Sequence, residues 1–443
     1  MRLPPAILGS TEEVLREILR FTAPADVTLS RYFKDHQRLG SRERGVVAEA
    51  VYAVLRNKTF FTDFGGTGGT PSMRRLALLG LAETAGIESL AGLSDEETEF
   101  LTRIQDIDRA LLPPLAQANM PQWLYDKLVA QYGETEAQQL AAVLNTPAPL
   151  DLRVNSIKAN RDDVIAKLAE APIVAEPTPY SPLGLRVKKK PTLQNLPLFK
   201  DGAIEVQDEG SQVLAQILAA RRGEMVVDFC AGAGGKTLAL GATMRNTGRL
   251  YAFDVSEKRL SKLKPRLARS GLSNVHPVLI AHERDAKIKR LAGKIDRVLV
   301  DAPCSGLGTL RRNPDVKWRQ PESAVAEMQE KQAAILDGAA RLLKGGGRLV
   351  YATCSLLNEE NEFIVEQFIA SHPDFDLVPM SKVLAEQKID LEMDQYLKLL
   401  PHKHGTDGFF AAVLERKPMA AKKPKTEAAE AGDAAPAADA AQA

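Results

Sequence analysis

Apolar positions recur at helical spacing along the first 112 residues. A run over 10–21 opens on Ser10-Thr11-Glu12-Glu13 and sets Leu15, Ile18 and Leu19 on one face. The same spacing predicts a helix near 29–36. It predicts another over 41–58, with Val46, Val47, Ala50, Val51, Val54 and Leu55 turned inward. Residues 65–69 read as a loop. Over 113–200 the pattern is mixed: 121–132, 134–144 and 160–170 read as helices, and 150–154 alternates like a strand.

From about Glu205 the rhythm changes. Short apolar strands are predicted at 226–229, 250–254, 275–280, 298–301 and 348–352, with a late strand at 409–414. Helices are predicted between them at 237–244, 257–269, 284–292, 322–343 and 359–371. Strands alternating with helices define an α/β fold with a parallel, doubly wound sheet. The chain divides as 1–112 (helical), 113–200 (small α+β unit), 201–417 (the sheet domain) and 418–443, an Ala/Lys/Glu/Pro-rich stretch with the composition of a disordered tail.

The stretch DFCAGAGGKTLAL, residues 228–240, joins the first of these strands to a helix. Gly235-Lys236-Thr237 ends it like a phosphate-binding loop, but Cys230 stands where that loop needs its first glycine. The dinucleotide fingerprint fails too, with Thr237 at the last glycine position. Ligands of such sheets lie outside the carboxyl ends of the strands. Asp228 ends the first strand. Asp254 ends the second, where an acid accepts hydrogen bonds from a ribose diol, and Asp285 follows the third, within reach of an adenine amino group. This is an adenosine site without a phosphate clamp. S-adenosylmethionine fits it; a dinucleotide would need a second mononucleotide half, which is not visible.

Three cysteines, Cys230, Cys304 and Cys354, are too few for a disulfide framework and lack metal-ligand spacing. No apolar run has the length of a membrane span, and the N-terminus lacks a signal peptide's apolar stretch, so a cytoplasmic, metal-free monomer is the expectation. The net charge is +1, yet residues 181–320 hold 26 Lys and Arg against 13 Asp and Glu. That excess points to a polyanionic partner. Its local runs are Arg186 with Lys188–Lys190, the stretch 258–269, and Arg311, Arg312, Lys317 and Arg319; any one run reads as a solvated face, and the last four flank the site and could hold phosphates.

Two loops, DAPCSGLGTLRRNPD (301–315) and YATCSLLNEENE (351–362), each place a cysteine just past a strand end. With the usual strand order 3-2-1-4-5, those strands are neighbours about 4.8 Å apart, and Cys304 and Cys354 share one cleft. Cys230 reads mainly as packing. A thiolate adding to C6 of a pyrimidine makes C5 nucleophilic enough to take a methyl group. Asp301 could bond the N3/N4 edge of the base, which must leave its stack. The base that removes the C5 proton stays open among Cys304, Asp301 and water.

These motifs resemble those of the RsmB/Sun/NOP family of RNA cytosine-C5 methyltransferases. The likeness rests on DFCAGAGGKT, FDVSEKRL, DAPCSGLGTLRRNPDVKW and YATCSLLNEENE, with EVQDEGSQ (205–212) upstream and LPHKHGTDGFFAAVL at the end. It covers roughly 120–417; PLDLRVN (149–155) is similar to the family's small RNA-binding subdomain, and residues 28–58 resemble a NusB-like helical RNA-binding domain. The resemblance implies a class I methyltransferase fold, S-adenosyl-L-methionine as cofactor and RNA, 16S rRNA, as partner. It implies Cys354 as nucleophile and Cys304 as the residue assisting release, with Asp301 in the catalytic set. Donor contacts are implied at Cys230, Ala231, Gly232, Ala233, Gly234, Gly235, Lys236, Asp254, Asp285 and Asp301. Ala233 departs from the proline of many members. A tRNA target, a DNA cytosine methyltransferase and a non-catalytic assembly factor are the rivals. DNA enzymes use one thiol, and an intact cofactor loop with two thiols argues against a mere binder.

Overall fold

The computed structural model describes residues 2–66, 69–189 and 191–418. Lys190 of the basic run, and the expected tail from 419 on, lie outside the described residues. The helices Pro5–Ile18, Ala25–Asp35, Ser41–Arg56, Lys58–Gly65, Met73–Ala85 and Asp95–Gln105 form an N-terminal bundle. Val14, Leu15, Val47, Val51, Val54, Phe60 and Leu78 fill its core. A Cβ on Gly80 would lie 2.5 Å from the Ala50 carbonyl oxygen, so glycine sets how closely Ser41–Arg56 and Met73–Ala85 approach. The helix predicted over 41–58 stops at Arg56, where Asn57 turns its amide back onto the Ala53 carbonyl at 3.1 Å.

The middle of the chain holds a four-stranded antiparallel sheet. Its strands are β1 (Leu150–Val154), β2 (Ala175–Pro177), β3 (Gly184–Val187) and β4 (Ile204–Val206), in the order β2-β3-β1-β4. β4 lies past residue 200, where the sequence places the start of the next unit.

The large sheet contains β5 (Met225–Asp228), β6 (Arg249–Asp254), β7 (Val275–Leu279), β8 (Ile295–Asp301), β9 (Leu343–Thr353), β10 (Phe375–Val378), β11 (Leu397–Leu399) and β12 (Phe409–Arg416). Its order is β7-β6-β5-β8-β9-β12-β10, with β11 also on β12. The five strands from β7 to β9 are parallel in the 3-2-1-4-5 order, and β12 closes antiparallel on β9. Side chains alternate between two apolar layers: Val350 and Ala352 of β9 face one, Leu349 and Tyr351 the other. The helix predicted over 284–292 is a single turn, Ala286–Lys289. Among the described residues no helix is long and apolar enough to cross a membrane.

The upstream motif EVQDEGSQ joins the two sheets. Glu205 of β4, nearly fully buried, takes Arg266 at 2.9 Å and Arg269 at 2.7 Å from the helix Glu257–Ser270. Asp208 and Asp407 share Arg312 at 2.8 and 2.6 Å. Burial removes Lys317 from the expected phosphate role, and Arg311, Arg312 and Arg319 each already hold a partner within the protein. Lys317 is 1% exposed and donates to the Arg56 carbonyl at 3.2 Å, the Asn145 side chain at 2.6 Å and the Asn119 carbonyl. Arg319 pairs with Asp315 at 2.8 Å, and Arg311 donates to the Pro147 carbonyl at 2.9 Å. Trp318 adds a bond to the Leu55 carbonyl at 2.7 Å, so this segment docks the helical bundle onto the sheet domain.

Candidate active site

The carboxyl ends of β5, β6, β8 and β9 border one cleft enclosing about 1280 Å³, its open mouth included. After β5 the chain makes its turn with Gly232 and Gly234 at φ 57° and 84°, a region costly for other residues. A Cβ on Gly234 would meet Leu263 at 2.1 Å, whereas one on Gly232 would meet nothing within 4 Å. Gly234 therefore serves packing, and Gly232 leaves backbone open to the cleft.

Three acids brace this turn. Asp228, buried, accepts from the Thr237 hydroxyl at 2.6 Å and keeps its second oxygen unpartnered. Burial above all pushes its pKa up to about 7. Asp254 accepts from the Gly232 amide at 2.8 Å and the Ser256 amide at 2.7 Å, and meets Arg259 at 3.0 Å. Asp301 holds Lys236 at 2.8 Å. Burial lowers the lysine's pKa, but Asp301, then Cys354 and Asp228, outweigh it and hold it above its ordinary value. The small sheet reaches the same turn through Arg153 of β1, which donates to the Gly235 carbonyl at 2.8 Å; Arg266, on the helix Glu257–Ser270, donates to the Ala233 carbonyl at 2.8 Å.

β8 and β9 pair in register up to Asp301↔Ala352, so the loops that follow run side by side. Their thiols meet: Cys304 Sγ lies 3.4 Å from Cys354 Sγ. The hydrogen bond to Cys354, then burial, then the charge of Cys354 and after it that of Glu360 push the Cys304 thiol well up. Glu360 is fully buried under both loops and accepts from the Ser305 amide at 2.8 Å and the Ser305 hydroxyl at 2.5 Å.

Nine of the predicted positions line the cleft: Cys230, Ala231, Gly232, Ala233, Gly235, Asp254, Asp301, Cys304 and Cys354. Gly234 and Lys236 stand behind it, one packed on Leu263, the other bound to Asp301. Asp285 stands off the lining. Its carboxylate accepts from the Ala281 and Lys287 amides, each at 2.8 Å, which hold its pKa below the usual range. It thus shapes the turn whose residues 281–283 line the cleft in its place. Sequence reasoning missed Val255, Arg259, Pro303, Ile335 and Glu360. Val255, 55% exposed beside Asp254, had a signal: an apolar residue at a strand end just past the ribose-type acid. Apolar walls, one acid at the tip of β6 and open backbone at Gly232 fit an adenosine with a charged tail. Among the described residues no group of His, Cys, Asp and Glu is arranged to hold a metal ion.

This sheet order and this cleft define the fold of a methyltransferase of the doubly wound class. Residues 215–415 match the family described as 16S rRNA methyltransferase RsmB/F, and residues 120–194 match the RsmF/B-like methyltransferase ferredoxin-like domain. A Synechocystis protein, "Probable ribosomal RNA small subunit methyltransferase B", is 33% identical over 437 residues, which is 91% of this chain and 98% of the relative. "Ribosomal RNA small subunit methyltransferase B" of Sodalis glossinidius is 35% identical over 300 residues, 68% of this chain and 66% of its own. A methyltransferase homolog protein from Pyrococcus horikoshii, solved by crystallography, superposes with a TM-score of 0.60 at 30% identity, over 70% of this chain and all of its own. The chain belongs to the RsmB/F family of 16S rRNA methyltransferases.

Proposed function

We propose that this protein methylates carbon-5 of a cytosine in 16S rRNA, with S-adenosyl-L-methionine as donor, through a covalent bond between Cys354 and C6 of the base. The observation that carries the reading is the meeting of two thiols at 3.4 Å on adjacent strand ends, beside a cleft suited to an adenosine. Cys354 Sγ, as thiolate, adds to C6 and drives electron density onto C5. Asp301, anchored by Lys236, accepts a hydrogen bond from the N4 amino group and orients the ring. The bound sulfonium supplies an electrophilic methyl group to C5. A base, open among Cys304, Asp301 and water, then takes the C5 proton; the double bond re-forms, Cys354 leaves as its thiolate, and Cys304 assists that release.

Two electrostatic features support this division of labour. The hydrogen bond to Cys354 and burial, with the Glu360 carboxylate adding to them, disfavour a thiolate at Cys304. The Lys236 ammonium, paired with Asp301 and held above its ordinary pKa despite burial, stays charged beside the nucleophile. The helical bundle docked through 311–319 supports a folded rRNA target over a short RNA stem.

The test uses purified protein, methyl-labelled S-adenosylmethionine, and transcribed 16S rRNA beside total tRNA. Label recovered as 5-methylcytidine in rRNA, and lost with Cys354→Ala, is the expected result. Label in tRNA alone would keep the chemistry and overturn the target. Cofactor binding without label in any RNA would leave a binding factor.

A further inference from the structure

We infer that Glu360 is a positioning residue, whose one buried carboxylate ties the Cys304 loop to the Cys354 loop and fixes how the two thiols face a base between them. The inference rests on the reading above that both thiols act on the same base.

Glu360 lies inside the second loop, in the turn Asn358–Glu360, six residues after Cys354. Its side chain points back beneath both thiols and is 0% exposed. One oxygen, Oε1, accepts from the Ser305 amide at 2.8 Å and from Gln332 Nε2 at 3.1 Å. The other, Oε2, accepts from the Ser305 hydroxyl at 2.5 Å and from the Ser355 hydroxyl. Ser305 follows Cys304, and Ser355 follows Cys354. The two hydroxyls also lie 3.2 Å apart. The same carboxylate therefore holds the residue next to each thiol.

The surroundings make the clamp rigid. Gln332, itself buried, also donates to the Pro303 carbonyl at 3.0 Å, fixing the other side of Cys304. The Tyr351 hydroxyl donates to the Glu360 carbonyl at 2.6 Å and pins the backbone. Ser355 Oγ also accepts from the Leu357 amide at 3.1 Å. A plain structural role would be met by a neutral side chain, since all four donors to the carboxylate are neutral and a buried charge is costly. The charge has a chemical consequence instead. It falls on Cys304 and helps keep that thiol protonated. A protonated Cys304, 3.4 Å from Cys354, can donate to the sulfur that leaves C6 once a base has taken the C5 proton. Reacting groups misplaced by about 1 Å lose on the order of 10²-fold in rate, so holding both loops from one point matters for turnover.

Glu360→Gln keeps shape and most hydrogen bonds and removes the charge. Glu360→Asp keeps the charge and shortens the reach. Both are made in the full chain and checked for thermal melting and for binding of labelled S-adenosylmethionine. The first readout is iodoacetamide alkylation of Cys304 against pH, followed by peptide mass. The midpoint is expected to fall by on the order of one pH unit in Glu360→Gln and to stay near wild type in Glu360→Asp. The second is methylation of 16S rRNA: kcat is expected to fall about 10²-fold in both variants, with KM for RNA within about threefold of wild type. A wild-type alkylation midpoint and rate in Glu360→Gln would overturn the assignment. So would loss of cofactor binding in step with the rate, which marks a merely structural residue. Alkylation does not depend on methylation, so a wild type that leaves RNA unmodified defeats the cytosine reading while the thiol profile still reports on Glu360.

Discussion

The segment 311–319 and the helix Glu257–Ser270 are both rich in lysine and arginine, and they use it in opposite ways. In the segment, Arg312 lies between two buried acids and Lys317 is sealed among carbonyl oxygens. On the helix, Lys258, Lys262 and Lys264 stand exposed, and Arg266 and Arg269 turn inward to Glu205. A run of cations in a sequence therefore marks two different things. It marks a polyanion-facing surface where side chains have no buried acceptor, and a domain junction where acids and carbonyls wait in other parts of the chain.

The comparison breaks most visibly at Arg312. Arg312→Ala strands Asp208 and Asp407 inside the protein and is expected to cost about 4 kcal/mol in urea unfolding. Lys317→Ala leaves three acceptors without their donor, and a loss of roughly 3 kcal/mol is expected in the same measurement. Burial holds the Lys317 pKa well below its ordinary value, so its charge is costly where it sits and its hydrogen bonds are what keep it there.

Asp228 sharpens the contrast from the acidic side, being a buried carboxyl without an arginine. Its folded pKa, about 7, stands above the unfolded value of 3.8. The protonated form thus lends stability that is complete below the unfolded value and is lost as pH climbs through about 7. Asn does not titrate. The stability advantage of wild type over Asp228→Asn is expected to shrink by roughly 3 kcal/mol between pH 4 and pH 7, measured by denaturation at each pH. The smallest effect belongs to the exposed lysines: Lys258→Ala, Lys262→Ala and Lys264→Ala should each leave stability within about 0.5 kcal/mol. A large loss at any of them would erase the distinction between the two basic regions.

The parts of the fold that could be read from the sequence are those whose pattern is local. The parallel strands of the large sheet, β5 to β9, are centred on apolar runs, because both their faces are buried, and each is followed by a helix. Their order then brings Cys304 and Cys354 together, as their shared position past strand ends implies. The small strands β2, β3 and β4 are three or four residues long, too short for alternation to stand out. The fate of Arg312 and Lys317 was not legible, since their partners lie about a hundred or more residues away. Asp285 was assigned by its place after a strand, but local amides claim its carboxylate. Glu360 was hidden among the exposed-looking acids of NEENE, where only the tertiary fold shows which one turns under the thiols.

The central claim is that Cys354 attacks the base and Cys304 lets it go. The most direct measurement mixes the Cys304→Ala protein with 16S rRNA and S-adenosylmethionine, then digests and maps any protein–RNA adduct by mass spectrometry. The account predicts a stable adduct on the peptide carrying Cys354, with its cytosine methylated. An adduct on Cys230, or full turnover by Cys304→Ala with no trapped species, would contradict it.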